Sequence, residues 1–339
     1  MLYNESTPGH LKFAETKTPR TGDVPKSKRV GADSFKGMGI DFTDFDHNGL
    51  YDMFVSDITT SYGIEESNLQ FMNVAKDQAD LRAQLRDGKA PWKDRSTDSL
   101  TAWGGWNWDV KLNDFNNSGD VAIVQTSGFV KGEVNRWPQL QELATANDLV
   151  LSDPSWWPHV VKGDDIAGSQ KLNFFVKGAD GKYANVSEEL GLAVPVPTRG
   201  IAIGDTDGDG NLDFAVARQW DQPVFYHNEA PSTGAFLGLR LFDETTPVAG
   251  AAPAPGLPAV GTQVTVTTPD GRKFISRVDG GSGHSGKRSN EVHIGLGNVS
   301  GPVAVHLQWR DLSGAQHQQD LQLTTGWHTL QLGSQAKER

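Results

Sequence analysis

Apolar and polar residues alternate with a period of two in short runs along most of this chain, and Gly, Asp, Asn and Pro separate the runs. Alternation of this kind marks half-buried antiparallel strands, whose successive side chains point to opposite faces. Two segments break the rhythm. Residues 73–88 place Ala75, Ala79, Leu81 and Leu85 at helical spacing, and 136–151 read the same way, so two short helical insertions are expected. No run of 18 apolar residues occurs, and no segment is expected to span a membrane as a helix.

The runs also repeat. "GMGIDFTDFDHNGLYDMFVSDI" (37–58) matches "RGIAIGDTDGDGNLDFAVARQ" (199–219) nearly position for position, and "GWNWDVKLNDFNNSGDVAIVQTSG" (105–128) is a degraded third copy. "NLQFMN" (68–73) and "PVFYHN" (223–228) follow the first and last copies as further strands. "NFFVKGADGKYANVS" (173–187) and "LYNESTPGHLKFAE" (2–15) look like one further recurring element. Four short antiparallel strands per unit suggest propeller blades. The loops begin at 44, 114 and 205, farther apart than the roughly 40–50 residues of a blade, so the surplus is insertion. Residues 1–230 then hold three to four blades, where propellers usually close with about four to eight. Two accounts fit. The chain is the C-terminal part of a longer propeller whose first blades are missing, which is the preferred expectation, or its first strand completes the last blade of a small ring. A partial propeller would expose sheet edges and invite self-association.

The repeated loop carries the chemistry. In "GDTDGDGNLD" (204–213) four aspartates crowd together, which a hard cation would make tolerable. Asp205, Asp207 and Asp209 fall at positions 1, 3 and 5, Gly210 allows the turn, the Asn211 carbonyl serves position 7 and Asp213 position 9. Position 12 is Val216 rather than Glu, and strands flank the loop, so this is not an EF-hand. The first copy offers Asp44, Asp46, Asn48, the Leu50 carbonyl and Asp52, with Gly49 as the turn residue. The middle copy keeps Asp114, Asn116, Ser118 and Gly119 but has Ala122 at position 9, so weak or no calcium is expected there, with the hairpin kept. Two calcium ions are expected in all.

After residue 230 the pattern changes. Strands are predicted at 235–243, 261–268, 273–279, 290–297, 303–309 and 327–332, a small β-sandwich or barrel over 231–334. The Pro/Ala-rich stretch 245–261 is expected to be an exposed loop. The fold class is thus all-β, a propeller followed by a β-domain.

The acidic hairpins resemble FG-GAP (VCBS, integrin-α-like) repeats, which implies a β-propeller with calcium at one rim. "AVGTQVTV", "EVHIGLG" and "VHLQW" resemble the ASPIC/UnbV domain, although "WRDLSG" departs from that family's usual Trp-Pro-Ser-Gly turn. The pair together resembles bacterial relatives of cartilage acidic protein. The resemblance implies a calcium-binding, non-enzymatic extracellular or cell-surface module for protein or glycan partners. It also leaves open an enzyme or enzyme partner in natural-product biosynthesis, of the enediyne kind, and a fragment without separate activity.

Composition narrows these classes. The 339 residues contain no cysteine, which removes disulfides, thiolate zinc sites and cysteine nucleophiles. The net charge of −11 argues against nucleic acid and anionic membranes as partners. No leader segment is recognisable at the start, so an export signal would lie outside this chain. "GSGHSGKR" (281–288) mimics a phosphate loop, but Arg288 stands where Ser or Thr is needed and a strand follows, so it reads as a flexible turn. Lys287 and Arg288 are a weaker candidate for an anion or partner patch. His284 and His293 read as a loop and an exposed strand histidine. "TAWGGWNWD" (101–109) reads as blade packing and capping of the central channel, with a stacking platform for sugars or another apolar ring as the alternative. Trp156 and Trp157, in a Pro-flanked loop, are the candidate ligand contacts.

Overall fold

The structure is a computed structural model that describes residues 1–31, 35–60, 66–146, 148–230, 233–245, 256–279, 281 and 283–339. It is mostly β, with five small sheets of four or five strands in a propeller-like arrangement. A two-stranded hairpin, β1 (Leu2–Asn4) and β2 (Phe13–Glu15), comes first.

Three sheets share one plan. The first pairs β3 (Gly39–Thr43), β4 (Asp52–Ser56), β5 (Leu69–Asn73) and β6 (Trp92–Asp94) in chain order. Helix α1 (Gln78–Arg86) is inserted before β6, and Asp77 caps it by accepting a hydrogen bond from Asp80 N. The second sheet pairs β7 (Asn107–Asn113) and β8 (Ala122–Ser127) with β11 (Asn173–Lys177) and β12 (Tyr183–Asn185). Between β8 and β11 lie the short parallel pair β9 (Val134–Asn135) and β10 (Asp164–Asp165), with α2 (Trp137–Thr145) and α3 (Asp148–Leu151). The single helix expected over 136–151 is therefore two pieces, because Ala146 turns to an extended conformation, ψ 161°. The third sheet begins with β13 (Thr198–Gly204), β14 (Asp213–Arg218) and β15 (Val224–Tyr226).

The blades pack through interlocking aromatic and aliphatic layers. Phe45, Phe54, Val110, Leu112, Ile123, Phe175 and Tyr183 form the layer joining the first and second sheets. Phe115, Val124, Phe174, Ile201, Ile203, Phe214 and Val216 join the second and third. Each fully buried ring contributes about 1.5–3 kcal/mol. The inner strands are stitched by buried carboxylates. Asp41 on β3 accepts from Leu112 N on β7 at 2.9 Å, and Asp109 on β7 accepts from Ile201 N on β13 at 2.8 Å.

The C-terminal part is a two-sheet sandwich. One sheet contains β16 (Ala235–Asp243), β17 (Leu257–Pro258), β21 (Val292–Gly297), β24 (Gly326–Leu332) and β25 (Ala336–Glu338). The other contains β18 (Gln263–Thr267), β19 (Lys273–Arg277), β22 (Val303–Arg310) and β23 (Gln316–Leu323). Leu237, Leu239 and Leu241 from one face meet Val303, Val305, Leu307 and Trp309 from the other, the period-two pattern of a sandwich core. The Pro/Ala-rich stretch lies largely outside the described residues, at 246–255. Strand β20 (Lys287–Arg288) leaves the sandwich and pairs in parallel with β13, adding a fourth strand to the third sheet.

Candidate metal centres

The hairpins β3–β4, β7–β8 and β13–β14 share one backbone trace. Each has two left-handed residues: His47, Asn117 and Gly208 at φ 58°, 56° and 84°, then Gly49, Gly119 and Gly210 at φ 83°, 94° and 89°. The second position was visible in sequence as an invariant glycine. The first was not, because three different residue types hold it. This curl turns backbone N–H groups inward onto the first aspartate. Asp44 accepts from Asn48 N (3.1 Å) and Gly49 N (2.8 Å), Asp114 from Ser118 N (3.1 Å) and Gly119 N (2.6 Å), and Asp205 from Gly208 N (2.7 Å) and Gly210 N (2.8 Å).

Two of the three loops gather carboxylates. Asp44, Asp46 and Asp52 present oxygens within 4.8 Å of one another, and Asp205, Asp207 and Asp209 do the same. Asp213 stands outside the second cluster. Its role is to clamp the hairpin to the third strand, accepting from Thr206 N at 3.0 Å and Asn228 N at 2.8 Å. Asp52 makes the same clamp to Phe45 N (2.9 Å) and Asn73 N (2.6 Å) while also joining its cluster. Asn48 Oδ1 accepts from Leu50 N and Asp209 Oδ1 from Asn211 N, which shapes the exit of each turn. In the middle loop Asn116 Oδ1 accepts from Ser118 N, but Asp114 has no carboxylate companions in a cluster among the described residues.

The electrostatics are unbalanced. Among the described residues no Lys or Arg pairs with Asp44, Asp46, Asp52, Asp205, Asp207 or Asp209, and only His227, 3.8 Å from Asp207, approaches. Burial pushes the Asp52 carboxyl up to about 7 and Asp44 up to about 6, with repulsion from Asp46 adding to both. Burial likewise pushes Asp114 up to about 6. Beside the second cluster, Asn211 Oδ1 is buried without a hydrogen-bond partner. An all-oxygen donor set, a local excess of negative charge and an orphaned acceptor fit a hard divalent cation such as Ca²⁺.

The hairpin rim is also where the sandwich docks. Trp327 Nε1 donates to Asp205 Oδ2 at 2.7 Å, and the His293 ring, stacked on Phe236, places Nε2 2.9 Å from Gly210 O. Gly297 N donates to Asn117 O (2.8 Å), and Gly234 N to Asn116 O (3.0 Å). The His47 ring meets Phe274 edge-on at 4.7 Å. At Gly295 a Cβ would lie 2.0 Å from Asp114 Oδ2, so only glycine lets the strand pass.

Residues 253–339, most of this sandwich, match the ASPIC and UnbV family. The match covers about a quarter of the chain. No curated protein matches the chain. His293 is thus part of the packing between the ASPIC/UnbV domain and the blades rather than an exposed strand histidine, and burial lowers its pKa.

The same domain reaches the inner edge of the blades. Within "GSGHSGKR", Gly283 N donates to Ile40 O (2.9 Å), and His284 N donates to Asp109 Oδ1 (2.8 Å). Arg288 forms an ion pair with buried Asp41. At Gly283 and Gly286 a Cβ would fall within 2.0 Å of an Asp109 oxygen. The segment expected to be a flexible turn is a wedge pinned between the inner strands. Its glycines serve close backbone approach, and Arg288 serves an intramolecular partner, while Lys287 is exposed.

The aromatic segments divide. Trp106 stacks on Phe129 (4.8 Å, 9°), and Trp108 lies under the Arg199 guanidinium (4.4 Å), as blade packing. Trp103 is 58% exposed. Trp156 and Trp157 follow α3 in a 3-10 turn and are 69% and 48% exposed, with Trp157 Nε1 donating to Leu151 O.

Proposed function

We propose that this protein is a calcium-stabilised, non-enzymatic binding or scaffold module of the FG-GAP type, working outside the cytoplasm on protein or glycan partners. The observation that carries the reading is the pair of acidic clusters at equivalent hairpins, neither with a Lys or Arg partner among the described residues. Asp44, Asp46, Asn48, Leu50 and Asp52 would hold one ion, and Asp205, Asp207, Asp209 and Asn211 the other, with Asp213 clamping the hairpin from outside that cluster. The ion would supply positive charge to a rim that also holds the ASPIC/UnbV domain, so metal and domain docking are coupled through Asp205 and Trp327. Loops of this kind suit the millimolar calcium found outside cells, which supports the extracellular placement.

Isothermal titration with calcium tests the reading. Two sites are expected, D46N and D207N should each remove one, and D114N should leave both. Absence of calcium uptake by the intact protein would overturn it.

The enzyme reading draws on one cavity. It lies among Thr43, Tyr51, Asp114, Arg277 and His293, where Tyr51 Oη and His293 Nδ1 are buried without partners. Its volume is about 80 Å³, well below the roughly 300–1,000 Å³ of small-molecule sites, which favours the binding module.

A further inference from the structure

The geometry points to a binding site for a neutral sugar ring in a cleft at the strand ends opposite the acidic hairpins. The proposal rests on the binding-module reading and names its ligand class. The cleft lies where β4 ends and β7 begins, with a volume of about 780 Å³, inside the range of ligand clefts.

Trp103 forms one wall. Its indole is exposed, yet its backbone is fixed on both sides. Ala102 O accepts from Asn68 N at 2.9 Å, and Gly104 N and Gly105 N both donate to Thr59 Oγ1 at 2.8 Å. Gly104 O accepts from Asn173 Nδ2 at 2.7 Å and Ser127 Oγ at 3.0 Å. A large apolar ring exposed to water gains little from folding, and a fixed backbone beneath it lowers the entropy lost when a ligand covers the ring.

Trp137 also lines the cleft. It is half-buried, its ring lies 6.2 Å from that of Trp106, and its backbone N–H donates to Asn135 Oδ1 (2.9 Å). Asn135, Gln141, Gln170 and Thr60 line the same cleft with amide and hydroxyl groups. Gln170 is itself fixed, accepting from Trp106 N (2.6 Å) and donating to Thr60 Oγ1 (2.9 Å).

None of the described residues lining the cleft is charged. Two tryptophans and several neutral amide and hydroxyl groups lining one cleft match a pyranose, whose C–H faces pack on indole and whose hydroxyls both donate and accept. Uronic acids, phosphates and charged peptides would be desolvated there without compensation.

The test is calorimetry on the full chain in millimolar calcium. Neutral gluco-, manno-, galacto- and xylo-oligosaccharides are titrated beside uronic-acid oligosaccharides, with a calcium-dependent melt of the same sample. At least one neutral series should bind, shifting tryptophan emission. W103A, shown folded by its melt, should weaken binding by about tenfold or more, while W156A/W157A should not. The proposal is overturned if no neutral series binds, if only charged sugars bind, or if folded W103A binds like the parent. A melt that responds to calcium without sugar binding sinks this proposal alone. Sugar binding without a calcium response sinks only the calcium reading.

Discussion

Removing the cation should make the protein less stable as the solution becomes more alkaline, and Asp52 sets the size of the effect. Its side chain is fully buried, and in the ion-free loop its carboxyl is pushed from the ordinary 3.8 up to about 7. A carboxyl whose folded pKa exceeds its unfolded value favours folding while protonated. That contribution is complete below 3.8 and is lost as pH rises through about 7. At about 1.36 kcal/mol per tenfold, ionising Asp52 at pH 8 costs about 4 kcal/mol. Asp44 acts in the same direction but faces Asp52, so the two costs do not add. For a cooperatively unfolding chain of this length, an unfolding entropy of about 2.1 cal/mol/K per residue converts that cost to roughly 6 °C, of which about 2.7 kcal/mol, or roughly 4 °C, is lost between pH 5 and pH 8. The assay is thermal unfolding followed by circular dichroism in chelator, from pH 5 to pH 8, repeated with millimolar calcium. The melting temperature in chelator should fall across this range. Calcium should restore it most at pH 8, where protons no longer compete for the oxygens. D52N should make the chelator curve shallower without levelling it, because Asp44, Asp57 and Asp114, also pushed up by burial, still titrate. A curve that stays level or climbs toward pH 8, or an unchanged slope in D52N, would refute the reasoning.

Other outcomes follow from the contacts. D41A removes a counter-charge of half-buried Arg288 and the acceptor of Leu112 N; with Asp279 still 3.9 Å from Arg288, the expected loss is about 2–4 kcal/mol, read by urea unfolding with an unchanged m-value. G210A combines a left-handed backbone with a Cβ 2.0 Å from the Phe236 ring, so it should cost about 1–3 kcal/mol and loosen the ASPIC/UnbV domain, seen as faster amide exchange in β16 and β21. W156A and W157A should change stability by less than about 0.5 kcal/mol, because neither exposed ring packs in a core.

Period-two alternation determined the strands of the blades and most of the sandwich, because a half-buried strand must alternate whatever it packs against. The acidic hairpins were legible for a similar local reason. A glycine at a left-handed turn and aspartates at alternate positions are requirements of one short loop. Strand β23, QHQQDLQL, escaped because an edge strand with a largely polar face carries little hydrophobic signal. Only the tertiary structure decided what depends on residues far apart in the chain. It placed the ASPIC/UnbV domain on the hairpin rim, turned Gly283 to Arg288 into a wedge against Asp41 and Asp109, and brought Trp103 and Trp137 into one cleft. A contact between residues 41 and 288 leaves no local pattern, since each side chain is chosen by its partner and not by its neighbours in sequence.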